Sequence, residues 1–406
     1  GGDFGTLDPA YAEKNQYSGR NVVRYNSGLI GPRAGLKALT IDWGSDAGTH
    51  PALGPYGFDV KDENLLISLD DETFKLPFLT AQPVVATKFD PYPSTLTQYV
   101  RFAEGNRVLY GLINGDLYRH NGDGTITNIA LPGGIKLSTL VRWGYYLVGV
   151  QADVPYRIWH STVTIAGADF NTWGVNNYLD VGSNLGINTL RPILNTLYAG
   201  KADGWWAISG VLGEQAYVRQ RSVANGPVDD RGCTVTTDNR ILYWPKDSLP
   251  AWFNGDRPYL DRDFELTGYA TEFAGDTVVA TPTGQRLIML SERADTNQAA
   301  MLLWDKKWSK HTFDIPISAI ACSDVRSGND LPEGVMFMCQ RPTTIGDPVS
   351  IVSFDASANR PAHVDDDWAA PLDMGGTDLI TGELDLPAHW EGQGRHMRVV
   401  SVIVQF

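Results

Sequence analysis

The sequence predicts an all-β chain: a β-propeller of about six or seven four-stranded blades with an irregular N-terminal segment. Three observations carry that expectation. Turn formers and aromatics are both abundant among the 406 residues, with 42 Gly, 23 Pro, 12 Trp and 17 Tyr; such a mixture suits short strands with frequent reversals. No stretch of a dozen residues carries the three-and-four apolar spacing of a surface helix, whereas short apolar-aromatic runs bounded by turn residues recur throughout. Those runs repeat at about 47 residues, the length of one four-stranded blade.

The clearest unit lies between Gln98 and Leu131. QYVRFAE is followed by a turn at Gly105-Asn106, then RVLYGLI, then Asn114-Gly115. Asn-Gly is a strong two-residue hairpin signal because both residues tolerate positive φ. DLYRH, Asn121-Gly122-Asp123-Gly124 and TITNIAL complete four strands. Similar hairpins follow around Lys201–Gly204, Asp238-Asn239 and Pro282–Gly284, and further strands at 140–150, 156–161, 301–313 and 349–355. The repeat centres lie near Tyr118, Ile158, Val218, Tyr243, Leu303 and Ser353. One such unit cannot bury both faces of its sheet, so the units must pack radially on one another.

The expected organisation has two parts. Residues 1–90, rich in Gly, Pro and Asp, form an N-terminal arm or small sheet packing on the core. Residues 91–406 form the propeller core. The tail RVVSVIVQF at 398–406 is a strong strand candidate, and pairing it with KALTIDW at 37–43 would close the ring.

Charge and motifs narrow the function. The formal net charge is −14, which disfavours nonspecific nucleic-acid binding through Lys and Arg. No apolar run is long enough for a transmembrane helix, and no signal-peptide pattern opens the chain. Cys233, Cys322 and Cys339 are too few and too scattered for a disulfide framework or zinc site, and read as buried thiols. The motifs GxSxG, HExxH and GxxxxGK[ST] are absent. Seven scattered histidines have no metal-ligand spacing. No catalytic residue, metal site or cofactor is therefore expected. Asp365-Asp366-Asp367 reads as a solvated acidic loop rather than a cation site, and Asn121–Gly124 as a turn rather than a calcium loop.

The tryptophans allow two readings. Trp205, Trp206, Trp304 and Trp308 could present a stacking platform for a surface glycan, or fill the wedges between blades, which is the preferred reading. Lys306-Lys307 form a small basic spot.

Several stretches resemble a known group. GRNVVRYNSGLIGPRAGLKAL (19–39), with its Gly28, Gly31, Pro32, Arg33 and Gly35, is similar to the opening of bacteriophage tail-nozzle proteins of the tail tubular protein B type. VPYRIWHS (154–161), DFNTW (169–173) and NTLYAGKADGWWAISG (195–210) follow in the order seen in those proteins and related minor tail proteins. GCTVTTDNRILYWPKDSLPAWFNG (232–255) looks like their next blade, and the stretch 379–406 like their closing strands. The resemblance implies a structural virion protein at the tail or head-to-tail region. It would assemble as a homo-oligomeric ring with tail or connector proteins, and genomic DNA would pass through the assembly. An acidic inner wall would then ease that passage by repelling phosphates. The alternatives are a host-surface glycan-binding module and a propeller glycosidase.

Overall fold

The computed structural model describes residues 22–24, 30–32 and 36–44 and, with gaps, 57–354; the longest gaps are 262–277 and 323–335. Between residues 278 and 317, side chains are described for Trp308 alone. The described residues contain seven four-stranded antiparallel sheets. Blade 1 comprises Gly57–Lys61, Asn64–Leu69, Glu72–Pro77 and Thr87–Lys88. Blade 2 runs over 101–129, blade 3 over 137–180, blade 4 over 187–220, blade 5 over 233–260 and blade 6 over 278–312. Blade 7 takes three strands from 317–354 and its fourth from Leu36–Ala38.

The ring is closed. The first strand of each blade touches the first strand of the next, and that of blade 7 touches that of blade 1. The architecture is a seven-bladed β-propeller, with the first strands around a central channel and the fourth strands at the rim.

Alternation along each strand explains the packing, because neighbouring residues face opposite sides of a sheet. In blade 3, Tyr146, Val148 and Val150 join a core shared with Leu190, Leu197 and Ile208 of blade 4. The intervening Leu147 joins Tyr110, Leu112 and Leu117 of blade 2. Blade 1 behaves alike: Leu65 and Ile67 pack with Ala319, Cys339 and Ile351 of blade 7, while Leu66 packs with Phe102 and Ile113 of blade 2. Blades 1 to 4 thus each belong to two cores at once.

Turn chemistry follows the sequence closely. Asn114 and Gly115 both adopt positive φ, as the hairpin signal requires. Asn239 does so between Cys233–Val235 and Ile241–Tyr243. Gly182, at φ +60 between blades 3 and 4, lies beneath the Trp206 ring, where an added Cβ would approach ring carbons to 2.4 Å.

Two expectations take a different form. Within the N-terminal part, Val22–Arg24 pairs with Ile30–Pro32 in a two-stranded sheet, whereas residues 57–88 supply a full blade of the ring. Closure does use the expected N-terminal segment, yet Leu36–Ala38 pairs with Ile351–Phe354; the tail at 398–406 lies outside the described residues. Gly31 and Pro32 lie within a short strand paired with Val22–Arg24, while Gly28, Arg33 and Gly35 lie outside the described residues. Among the described residues, no helix is long and apolar enough to cross a membrane.

Closure makes one position decisive. The Leu39 amide donates to the Ile351 carbonyl at 2.8 Å, extending the pairing of the borrowed strand. Leu39→Pro removes that donor and is expected to lower stability by about 1–3 kcal/mol, read as a reduced urea midpoint.

A second expectation concerns acid. Burial lowers the His120 imidazole from 6.5 to about 4. The unfolded chain therefore binds a proton near pH 6.5 that the folded chain refuses until about pH 4. Stability is unaffected by this group above pH 6.5 and falls as the pH drops through that window. Between pH 7.5 and 5 the loss is expected to be about 2 kcal/mol. Urea titrations should show a smaller slope for His120→Gln.

Candidate functional site

The first strands converge on a cavity of about 500 Å³ in the central channel. Asp59, Arg101, Glu104, Arg142 and Arg191 reach it from the first strands of blades 1 to 4. Asp230 and Arg231 enter from the segment just before blade 5. Blades 3 and 4 build their share from a visible repeat: LSTLVRW and INTLRPI each open with a register shift before the shared Thr-Leu, Thr139-Leu140 and Thr189-Leu190.

Arg191 is the organising side chain. Nη1 donates to Asp230 Oδ1 at 2.6 Å and to the Leu190 carbonyl at 2.8 Å. Nη2 donates to the carbonyls of Asp230 at 2.5 Å and Cys233 at 2.7 Å, and Nε also reaches Cys233 at 3.1 Å. The side chains of Arg191 and Asp230 are only 19% and 14% exposed. Asp230 also accepts from Thr189 Oγ1 at 2.6 Å and lies 3.5 Å from Arg101 Nε. Burial pushes the Asp230 carboxyl up, but Arg191 and Arg101 outweigh it and hold it below the usual carboxylate range.

Tyr99 orders the neighbouring arginines. Its hydroxyl accepts from the Phe58 amide at 3.0 Å and donates to the Phe58 carbonyl at 3.2 Å. The guanidinium carbons of Arg101 and Arg231 lie 4.8 and 5.2 Å from its ring centre, a cation–π arrangement on a fixed ring. The lining thus holds four arginines against three carboxylates. Asp229 lies 4.0 Å from Arg231, so this part of the channel is lined by arginines and carboxylates together rather than by carboxylates alone.

A second feature lies at the rim. Of the exposed large apolar or aromatic side chains among the described residues, all but Val85 fall between Tyr145 and Tyr259, in blades 3 to 5. Tyr178, Tyr217 and Tyr259 stand on the outermost strands of these three consecutive blades. Tyr217 is 65% exposed, in the strand Gln215–Gln220, where Ala216 and Val218 turn inward to the core. Leu194, 78% exposed, occupies the tight turn between the first two strands of blade 4 with φ +51. Gly144 takes the corresponding place in blade 3. Leucine in the left-handed region costs about 1 kcal/mol or more.

The aromatic platform is not assembled as such. Trp205 and Trp308 are buried, so neither offers a ring face to a glycan. Trp205 stacks on Phe253 with ring centres 5.0 Å apart and meets Tyr243 edge-on, joining blade 4 to blade 5. The Trp308 indole donates to Asp261 at 3.0 Å, as Trp252 does at 2.7 Å. Trp206 is half-buried against Gly182, and the side chain of Trp304 lies outside the description. Cys233 and Cys339 are buried, with thiols pushed up to about 12 by burial, which keeps them unreactive. Among the described residues no group of three His, Cys, Asp or Glu is placed to hold a metal; Asp365–Asp367 lie outside them.

No family model and no curated protein matches the chain. Solved structures do match. The extracellular domain of the putative one-component system BT4673 from B. thetaiotaomicron aligns with a TM-score of 0.53 at 9% identity, over 83% of this chain and 45% of that one. U3-55K aligns at 0.51 and 10% identity, over 79% and 99%. BBS1N, solved in complex with ARL6DN, aligns at 0.50 and 10% identity, over 81% and 99%. The likeness shows a β-propeller. At this identity it shows the fold alone, and none of the three is a phage tail protein.

Sequence reasoning missed the arginine cluster. Its members are single residues from three separate strands and from the segment before blade 5, brought together only by the ring. Asp230 is the hub, so Asp230→Ala leaves two guanidiniums without their shared carboxylate. The variant is expected to lose about 3–5 kcal/mol, with Asp230→Asn losing less. Urea denaturation of both variants checks the order.

Proposed function

We propose that this chain is a non-catalytic assembly protein of a bacteriophage virion, acting at the tail nozzle, tail tube or head-to-tail region. It would contact copies of itself and neighbouring tail or connector proteins. The resemblance of the stretches at 19–39, 154–210 and 232–255 supports the virion setting. The observation that carries assembly is the succession of exposed tyrosines on the outermost strands of blades 3, 4 and 5. Tyrosine is favoured at interfaces because it offers a large apolar face and a hydrogen-bonding tip. Clustered exposed apolar groups mark contact surfaces more often than scattered ones.

The edge strand Gln215–Gln220 adds a backbone argument. It has one hydrogen-bonded neighbour in its sheet, no proline, and six residues of regular pairing. Such an edge can accept another strand. DNA passage, in this reading, belongs to a conduit between copies. A cavity of about 500 Å³ does not admit a duplex whose major groove alone is about 12 Å wide.

Tyr217→Glu tests the reading. Purified wild-type chain is expected to form a ring or short tube by light scattering and electron microscopy. The variant should dissociate to monomers with an unchanged circular dichroism spectrum. A wild-type chain that stays monomeric at all concentrations and in the presence of tail proteins would sink the proposal.

A further inference from the structure

We propose that the central channel cavity binds a small multivalent oxyanion, a molecule bearing phosphate or carboxylate groups. The inference is independent of the rim and of the assembly reading.

Charge comes first. The chain carries a net charge of −14, yet this cavity gathers four arginines against three carboxylates. Two of the arginines, Arg191 and Arg101, share the single carboxylate of Asp230. That trio retains one positive charge on side chains that are mostly buried, where electrostatic interactions are less screened than at the surface. Arg142 adds another: its Nε donates to the Gly144 carbonyl at 3.3 Å, and it makes no ion pair among the described residues. Arg231, 4.0 Å from Asp229, brings a fourth guanidinium over Tyr99.

Preorganisation comes second. Arg191 is held by carbonyls of two blades, and Arg101 and Arg231 flank a tyrosine pinned to the Phe58 backbone. Guanidiniums fixed in this way lose little conformational freedom on binding. Their planar forks match carboxylate and phosphate oxygens. A volume of about 500 Å³ lies within the range of small-molecule sites, and leaves no room for a folded domain or a duplex.

The test is calorimetric titration of the full chain with pyrophosphate and with citrate. Arg142→Gln and Arg231→Gln are each expected to weaken binding at least tenfold. Glu104→Gln, which removes a carboxylate from the lining, is expected to strengthen it severalfold. Arg219→Gln, on the exposed outer strand of blade 4, changes net charge equally and should leave affinity unaltered. The proposal is overturned if neither anion binds, or if affinity survives both channel substitutions. It is also overturned if a heptaglutamate peptide binds through the same arginines more tightly than either small anion, which would make the occupant a protein segment.

Discussion

Blades 1 to 4 each have two apolar faces, and a sheet with two apolar faces is stable only between neighbours. That constraint makes the ring obligatory. Leu147 looks toward blade 2 while Val148 looks toward blade 4, so blade 3 cannot sit at an end. An open array would leave Leu65, Phe74 and Ile351 facing water, each at a cost of about 1.5–3 kcal/mol. The chain solves this by lending Leu36–Ala38 to blade 7. The closing strand lies far from its sheet in sequence, so opening the ring requires breaking that pairing, not only parting two side-chain surfaces.

Closure also determines where buried polarity can be used. At the seams between blades, backbone carbonyls end without strand partners, and buried cations satisfy them. Arg191 does this for Asp230 and Cys233 at the seam of blades 4 and 5. Lys201 does it at the seam of blades 3 and 4, where its ammonium donates to the carbonyls of Val181 and Ser183. Burial lowers the Lys201 ammonium to about 8, the expected direction for a cation removed from water. The two cations hold neighbouring blades in register, while the aromatic pair Trp205 and Phe253 supplies the apolar part of the same joint.

How much of this was legible depended on range. Local chemistry was readable: Asn114-Gly115 announces its hairpin by tolerance of positive φ, and the 47-residue recurrence announces blades. Blade 1 was less visible because the sequence between its first three strands, Asp62-Glu63 and Asp70-Asp71, carries no glycine signal. The repeat centres near Val218 and Tyr243 fall on the fourth strand of one blade and the second of the next, so spacing alone could not number the strands. The channel cluster was unreadable. Arg101, Arg142, Arg191 and Arg231 lie 41, 49 and 40 positions apart, near one blade each, which is visible as a pattern only once the ring is known. The tryptophans misled toward a platform because composition counts aromatic rings without saying which side of a sheet they occupy.

The same geometry separates two kinds of surface. Rim residues such as Tyr217 stand on outermost strands, where a side chain can change without disturbing either core. Channel residues such as Arg101, Arg142 and Arg191 stand on first strands, each in contact with the next blade, so a change there is felt by the ring. Arg191 is therefore both a joint and part of a positively charged lining, whereas Arg142 contributes charge with little structural duty. That difference gives the channel its internal control. A ligand that depends on the cavity should notice the loss of Arg142 while the fold does not, and a purely structural cluster should show the reverse dependence, with all of its sensitivity concentrated at Arg191 and Asp230.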